Sequence, residues 1–133
     1  MYSEVVSFIQ KTFGTTDFLP LHEPRFVGNE KKYVADAIDS TFVSSVGAYV
    51  NRFEEDFSVA TQQKYTVATV NGTAALHIAM LLVAVEKDTE VLTQALTFVA
   101  TCNAISYIGA IPHFVDVSKD TLGMCPEKLE EYL

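Results

Sequence analysis

The chain is 133 residues long, 49% hydrophobic, with nine Lys and Arg against 17 Asp and Glu and a formal net charge of −8. Only four prolines and six glycines are present. That excludes a linker or a disordered tail and predicts one folded domain burying roughly two thirds of its extended-chain surface. The acidic balance excludes a nucleic-acid backbone binder, which needs clustered cations, so an anionic ligand falls to backbone N–H groups, helix ends or single cations.

Residues 4–12 predict a short helix, bounded by Gly14 and Pro20. This start carries Glu4 and no basic stretch, so it does not read as a signal peptide. Residues 21–28, with Pro24 and Gly28, read as an extended arm. A helix follows from Gly28 or Asn29 to Ser40, with Asn29 as its cap and Tyr33, Ala37 and Ile38 on one apolar stripe. Residues 41–50 read as a loop with Ser44, Ser45 and Gly47 at its centre. An acidic helix is expected over residues 51–60, with Phe53 and Phe57 on one face and Glu54, Glu55 and Asp56 on a solvated one.

From Lys64 the pattern changes. Residues 65–70 predict a strand, Asn71-Gly72-Thr73 a turn, and residues 74–85 a buried helix. A second strand is expected over 90–93, a second helix over 98–107 and a third strand over 111–117. Pro126 opens a last helix over 127–132. This β-α-β-α-β order implies parallel strands joined by right-handed crossovers. A three-strand parallel sheet is thin for an α/β domain, and the last helix runs barely two turns. The chain is therefore expected to be interrupted rather than finished. The most apolar stretch, residues 76–85, is too short to span a membrane. Cys102 and Cys125 read as free thiols, which with the preceding points predicts a cytoplasmic protein.

The best local motif is the strand, the Asn71-Gly72-Thr73 turn and the Ala-rich helix after it. Gly72 permits close approach to the backbone. The first N–H groups of the helix lack internal partners, and the helix dipole and the Thr73 hydroxyl add to an anion site. An ordinary helix capped by Asn71 or Thr73 explains the same residues. Thr97 and Phe98 follow the second strand, where ligands bind in parallel α/β sheets. Phe98 reads either as a platform for a flat ring or as a core residue under the next helix. No G-x-G-x-x-G, Walker loop or G-x-S-x-G elbow is present. His22, His77 and His113 lack metal-ligand spacing, so no metal is expected.

Six segments together carry a resemblance. They are residues 20–33 (Pro-Leu-His-Glu-Pro-Arg-Phe-Val-Gly-Asn-Glu-Lys-Lys-Tyr), Ser44-Ser-Val-Gly47, Arg52-Phe-Glu-Glu55, residues 67–77 (Val-Ala-Thr-Val-Asn-Gly-Thr-Ala-Ala-Leu-His), residues 96–105 (Leu-Thr-Phe-Val-Ala-Thr-Cys-Asn-Ala-Ile) and residues 109–117 (Gly-Ala-Ile-Pro-His-Phe-Val-Asp-Val). In this order they resemble the N-terminal part of the DegT/DnrJ-type nucleotide-sugar aminotransferases. Within that family they look most like the branch of legionaminic-acid and related amino-sugar pathways.

The resemblance implies an α/β fold, the N-terminal part of the large domain of a fold-type-I pyridoxal-phosphate (PLP) enzyme, three layers α/β/α with parallel strands. Residues 1–63 would be the N-terminal arm and helices, and residues 64–133 the β-α-β-α-β segment. It implies that Gly72, Thr73 and Ala74 hold the cofactor phosphate and that Phe98 stacks on its pyridine ring. Ser44, Ser45 and Gly47 would lie near the substrate in a family dimer. The implied partners are a nucleotide sugar, an amino donor and a second copy of the chain, with no nucleic acid and no membrane. The family's Schiff-base lysine has no counterpart among Lys11, Lys31, Lys32, Lys64, Lys87, Lys119 and Lys128. No catalytic residue is therefore assigned, and the chain is expected to be truncated before that lysine and inactive alone. Relatives place turn glycines near Gln62 and Asp88 and a proline near Ala95, so those turns depart from the family pattern. A non-catalytic binding or oligomerisation module built on the same segment is the alternative, and an unrelated small α/β domain the remaining one.

Overall fold

The structure is a computed structural model, and it describes residues 2–133. It divides into a first unit ending at Asn51 and a second running from Arg52 to Leu133.

The first unit holds α1 (Tyr2–Phe13) and α2 (Glu30–Asp39) and ends within α3 (Ala48–Thr61). Asn29 stands at the cap of α2, but its side chain makes no cap hydrogen bond. Instead the Gly28 N–H donates to the Glu30 carboxylate at 2.9 Å. The expected loop over 41–50 is shorter than its sequence implies, because α3 already starts at Ala48. The Tyr49 hydroxyl donates to Asp36 at 2.9 Å, and the Tyr33 and Tyr49 rings lie 5.2 Å apart.

The second unit carries α4 (Gly72–Leu82), β1 (Glu90–Gln94), α5 (Val99–Tyr107), β2 (Ile111–Val115) and α6 (Pro126–Tyr132). β1 and β2 pair in parallel, with Glu90 opposite Ile111 and Gln94 opposite Val115. The β1–α5–β2 crossover is the parallel unit that the sequence predicts, and α5 packs on both α4 and β2. The core sits at this crossover. Ala104 and Ile105 of α5, Ala110, Val115 of β2 and Thr93 of β1 are buried.

Two expectations are corrected. Residues 65–70 form no strand. A strand exists only against a partner, and the sheet of the described residues holds β1 and β2 alone. The third expected strand likewise ends at Val115, and Val117 makes only an isolated antiparallel bridge to Met124.

The burial expectation also fails. A folded 14.7 kDa monomer exposes roughly 6,900 Å² by size scaling, whereas this chain exposes 11230 Å². The helices α1, α2, α3, α4 and α6 contain no buried residue. The helix after Asn71 was expected to be buried, yet Leu76, Ile78, Leu81 and Leu82 are all exposed. In the second unit, two strands cannot cover the faces of α4, α5 and α6.

Candidate functional site

The site is built by the passage from residues 65–70 into α4. Asn71 keeps an extended backbone (φ −165°, ψ 172°), and its side chain accepts the Ala74 N–H at 2.9 Å. Its carbonyl accepts the Ala75 N–H at 3.1 Å. Asn71 rather than Thr73 is therefore the cap, an arrangement that contributes about 1 kcal/mol. Ala74 spends its N–H on this cap, so its place in the expected phosphate set reduces to shaping the first turn.

The N–H groups of Gly72 and Thr73 make no hydrogen bond among the described residues, and neither does the Thr73 hydroxyl. A Cβ built at Gly72 meets nothing within 4 Å, so the turn is uncrowded on that side. Two free backbone donors, one hydroxyl and the positive end of α4 suit a phosphate dianion on charge, donor count and access.

A shallow hollow of about 640 Å³ lies beside this turn, lined by Asn71, Thr73, Ala74, His77, Ile78 and Tyr107. His77 and Tyr107 close it, with ring centroids 6.1 Å apart. The Nδ1 atom of His77 is buried without a hydrogen-bond partner among the described residues. Phe98 is not in the wall of this hollow. It precedes α5 with an extended backbone (φ −72°, ψ 139°) and is 78% exposed, so it is not a core residue in this structure. Tyr107 stands at the opposite end of α5, roughly 13 Å along the helix axis.

The loop between β1 and α5 is held at both sides. The Gln94 side-chain amide donates to the carbonyls of Leu96 at 2.7 Å and Leu122 at 3.3 Å. The hydroxyls of Thr97 and Thr101 lie 3.1 Å apart.

Ser44, Ser45 and Gly47 belong to the first unit. The Ser44 hydroxyl accepts the Val46 N–H at 3.2 Å and so tightens the turn. Ser44 and Gly47 line a hollow of about 350 Å³ with residues of α2 and α3, and Ser45 does not.

Sequence reasoning missed two residues. Tyr107 reads as an ordinary helix aromatic, and no signal in the chain marks it. Glu54 reads as part of a solvated acidic face, but its carboxylate accepts the Ala68 N–H at 2.8 Å. Residues 65–70 read as a paired strand, so nothing in the sequence marks Glu54 as such an acceptor.

Comparison with known proteins places these residues in context. The family model described as the DegT/DnrJ/EryC1/StrS aminotransferase family matches residues 24–133. GDP-perosamine synthase of Vibrio cholerae is 52% identical over 40 residues, which is 30% of this chain and 11% of that protein. The same-named protein of Escherichia coli O157:H7 is 42% identical over 41 residues, 31% of this chain and 11% of that protein. Among solved structures, a sugar aminotransferase of Streptococcus pneumoniae in its PMP form superposes with a TM-score of 0.77 at 30% identity, covering 86% of this chain and 29% of that one. An aminotransferase of Psychrobacter cryohalolentis gives a TM-score of 0.76 at 31% identity over the same shares. The matched stretch thus spans about a tenth of the curated relatives and under a third of the solved ones.

Proposed function

We infer the function from one premise: the chain belongs to the DegT/DnrJ/EryC1/StrS aminotransferase family. On that premise its residues are the cofactor-phosphate segment of a PLP-dependent aminotransferase that aminates a keto carbon of a nucleotide-linked sugar. One observation carries this reading. The free N–H groups of Gly72 and Thr73 open α4 inside the matched stretch, at a turn with nothing within 4 Å of a Cβ built at Gly72.

When bound, PLP supplies the electron sink for amino-group transfer. The chain's own residues do the holding. Gly72 and Thr73 donate N–H groups to the phosphate, and the Thr73 hydroxyl adds a third contact. The α4 dipole favours the dianion. Asn71 keeps the first turn in place through the Ala74 N–H. Phe98 offers an exposed ring face for the pyridine. Ser44, Ser45 and Gly47 are assigned to the sugar side, and residues 1–63 and 64–133 to the arm and the core of the large domain. A second copy of the chain is the assigned partner, glutamate the assigned amino donor and the cytoplasm the assigned compartment.

None of the seven lysines stands in the context of the family's cofactor lysine. These residues alone therefore hold the cofactor through its phosphate and do not turn over. The experiment adds PLP, reduces with borohydride and maps the lysines, alongside a titration with inorganic phosphate as competitor. Reversible, phosphate-competed binding without a single stoichiometric pyridoxyl-lysine is expected. A stoichiometric label at one lysine with transaminase turnover would overturn the inactivity. Binding indifferent to phosphate would overturn the cradle.

At finer grain, the resemblance of the six segments taken together favours the legionaminic-acid-type branch, and the two curated relatives favour a GDP-linked sugar. Competition between GDP-linked and UDP-linked sugars for the chain tests the GDP preference. A binding or oligomerisation module is the second reading, favoured by the exposed apolar face of α4. Binding of a partner protein with no affinity for PLP would select it.

A further inference from the structure

We propose that Glu54 is a positioning residue for the phosphate cradle, a proposal that rests on the reading of Gly72 and Thr73 as that cradle. Four of residues 65–70 are β-branched (Thr66, Val67, Thr69 and Val70), and among the described residues no neighbouring strand takes their backbone groups. A buried or half-buried N–H in such a segment needs an acceptor from elsewhere. The Glu54 carboxylate supplies one, accepting the Ala68 N–H at 2.8 Å in a charge-assisted bond. One turn on, at the same face of α3, the Ser58 hydroxyl donates to the Thr66 hydroxyl at 2.8 Å. Glu54 with Ala68 and Ser58 with Thr66 run in opposite chain directions, so α3 grips the segment at two points and fixes its register.

From Ala68 the constraint continues to α4 without a gap. The Thr69 hydroxyl donates to the Asn71 carbonyl at 3.1 Å. The Asn71 side chain accepts the Ala74 N–H at 2.9 Å. Three residues, Thr69, Val70 and Asn71, separate the Ala68 N–H that Glu54 holds from Gly72. Without Glu54 the Ala68 N–H loses this acceptor, α3 holds the segment only through Ser58 and Thr66, and the Gly72 and Thr73 donors lose part of their common aim. Glu54 touches no ligand itself; it acts through the backbone.

The test compares wild type, Glu54→Ala, Glu54→Gln and Glu54→Asp in titrations with PLP and with pyridoxal, which lacks the phosphate. Amide exchange at Ala68 is followed alongside. Glu54→Ala is expected to weaken PLP binding about tenfold, the loss of one charge-assisted bond. Pyridoxal binding should stay unchanged, and the Ala68 amide should exchange faster. Glu54→Gln keeps an acceptor oxygen in the same place and should stay within about twofold of wild type. Glu54→Asp, one methylene short, should fall between the two.

Wild-type PLP affinity in Glu54→Ala or Glu54→Asp overturns the role of Glu54 and leaves the cradle reading standing. A Glu54→Gln variant as weak as Glu54→Ala also overturns it, and this arm decides if Glu54→Ala does not fold. A wild-type chain whose binding ignores the phosphate overturns the cradle reading and the role of Glu54 with it.

Discussion

The Val85 N–H donates to the Met80 carbonyl at 3.0 Å across the end of α4, and Ala84 between them sits at φ +58°. With the Ala84 N–H on the Leu81 carbonyl at 3.1 Å, this closure requires a left-handed residue, a place where glycine is favoured. The end of α3 repeats it. The Gln63 N–H reaches the Ser58 carbonyl at 3.1 Å, and Gln62 takes φ +56°. The helices α1 and α5 place Gly14 and Gly109 at the same point.

A side chain in the left-handed region costs about 1–2 kcal/mol, partly offset by the extra unfolded-state freedom of glycine. Ala84→Gly and Gln62→Gly should therefore each stabilise the second unit by about 0.5–1 kcal/mol. Urea unfolding followed by circular dichroism measures this. Variants less stable than wild type would show that the loops relax away from the left-handed conformation.

Much of this was legible before the structure. Gln62 and Asp88, near which the family resemblance implies turn glycines, are two of the left-handed residues. The order of helices, the β1–α5–β2 crossover and the helix start after Asn71 follow from local patterning. What was not legible depends on partners distant in sequence. Residues 65–70 have every local mark of a strand, but a strand is a property of a pair. Glu54 has every mark of a solvated carboxylate until the unpaired Ala68 N–H is placed beside it. The hollow wall at Tyr107 likewise depends on how α5 packs on α4.

Gly72→Ala separates folding from ligand access. The added Cβ meets nothing within 4 Å, and Gly72 has no left-handed backbone, so the fold should be unchanged. The methyl group restricts how closely an anion approaches the backbone at this turn. PLP and inorganic phosphate should bind about tenfold more weakly, the loss of one anion-directed hydrogen bond. Thr73→Val, which removes only the hydroxyl, should show a smaller loss. Equal affinity in Gly72→Ala, read by isothermal titration, would move the anion away from this turn.

The last helix predicts a pH dependence. The Tyr132 hydroxyl donates to the Glu90 carboxylate, and its ring stacks on His113 at 3.8 Å. The bond to Glu90 holds the Tyr132 pKa above its ordinary value, with desolvation and the Glu90 charge acting in the same direction. The contribution to stability is thus complete while the phenol is protonated and is lost as pH rises through the raised folded value. At the same helix start the Cys125 thiol donates to Glu127 at 3.1 Å and holds that carboxyl below its ordinary value. That contribution is lost as pH falls through the lowered value. The α6 contact should therefore release at alkaline pH in wild type, with tyrosinate absorbance and helix signal changing together. Tyr132→Phe should abolish the coupled alkaline step. Its survival in that variant would assign it to another tyrosine.

Association is the boldest expectation, and the exposed area sets its scale. The chain exposes roughly 4,300 Å² more than a folded monomer of its mass. Much of that surface is apolar: Leu82 is 80% exposed, and Tyr65, Val67 and Val70 stand on an unpaired segment. Patches and edges of this kind drive association. A net charge of −8 opposes open-ended aggregation and leaves a closed two-fold dimer as the favoured assembly. An obligate dimer interface covers about 1,000–2,500 Å² on each partner. The dimer therefore leaves well over 1,000 Å² of the excess exposed. Two readings should follow at micromolar concentration: a dimer mass by light scattering, and binding of an apolar dye by that dimer. A monomer that binds no dye would show that the helices close over the sheet in solution and that the unpaired segment finds a partner within its own chain. A dimer that binds no dye would show that a single interface covers more surface than any of that class.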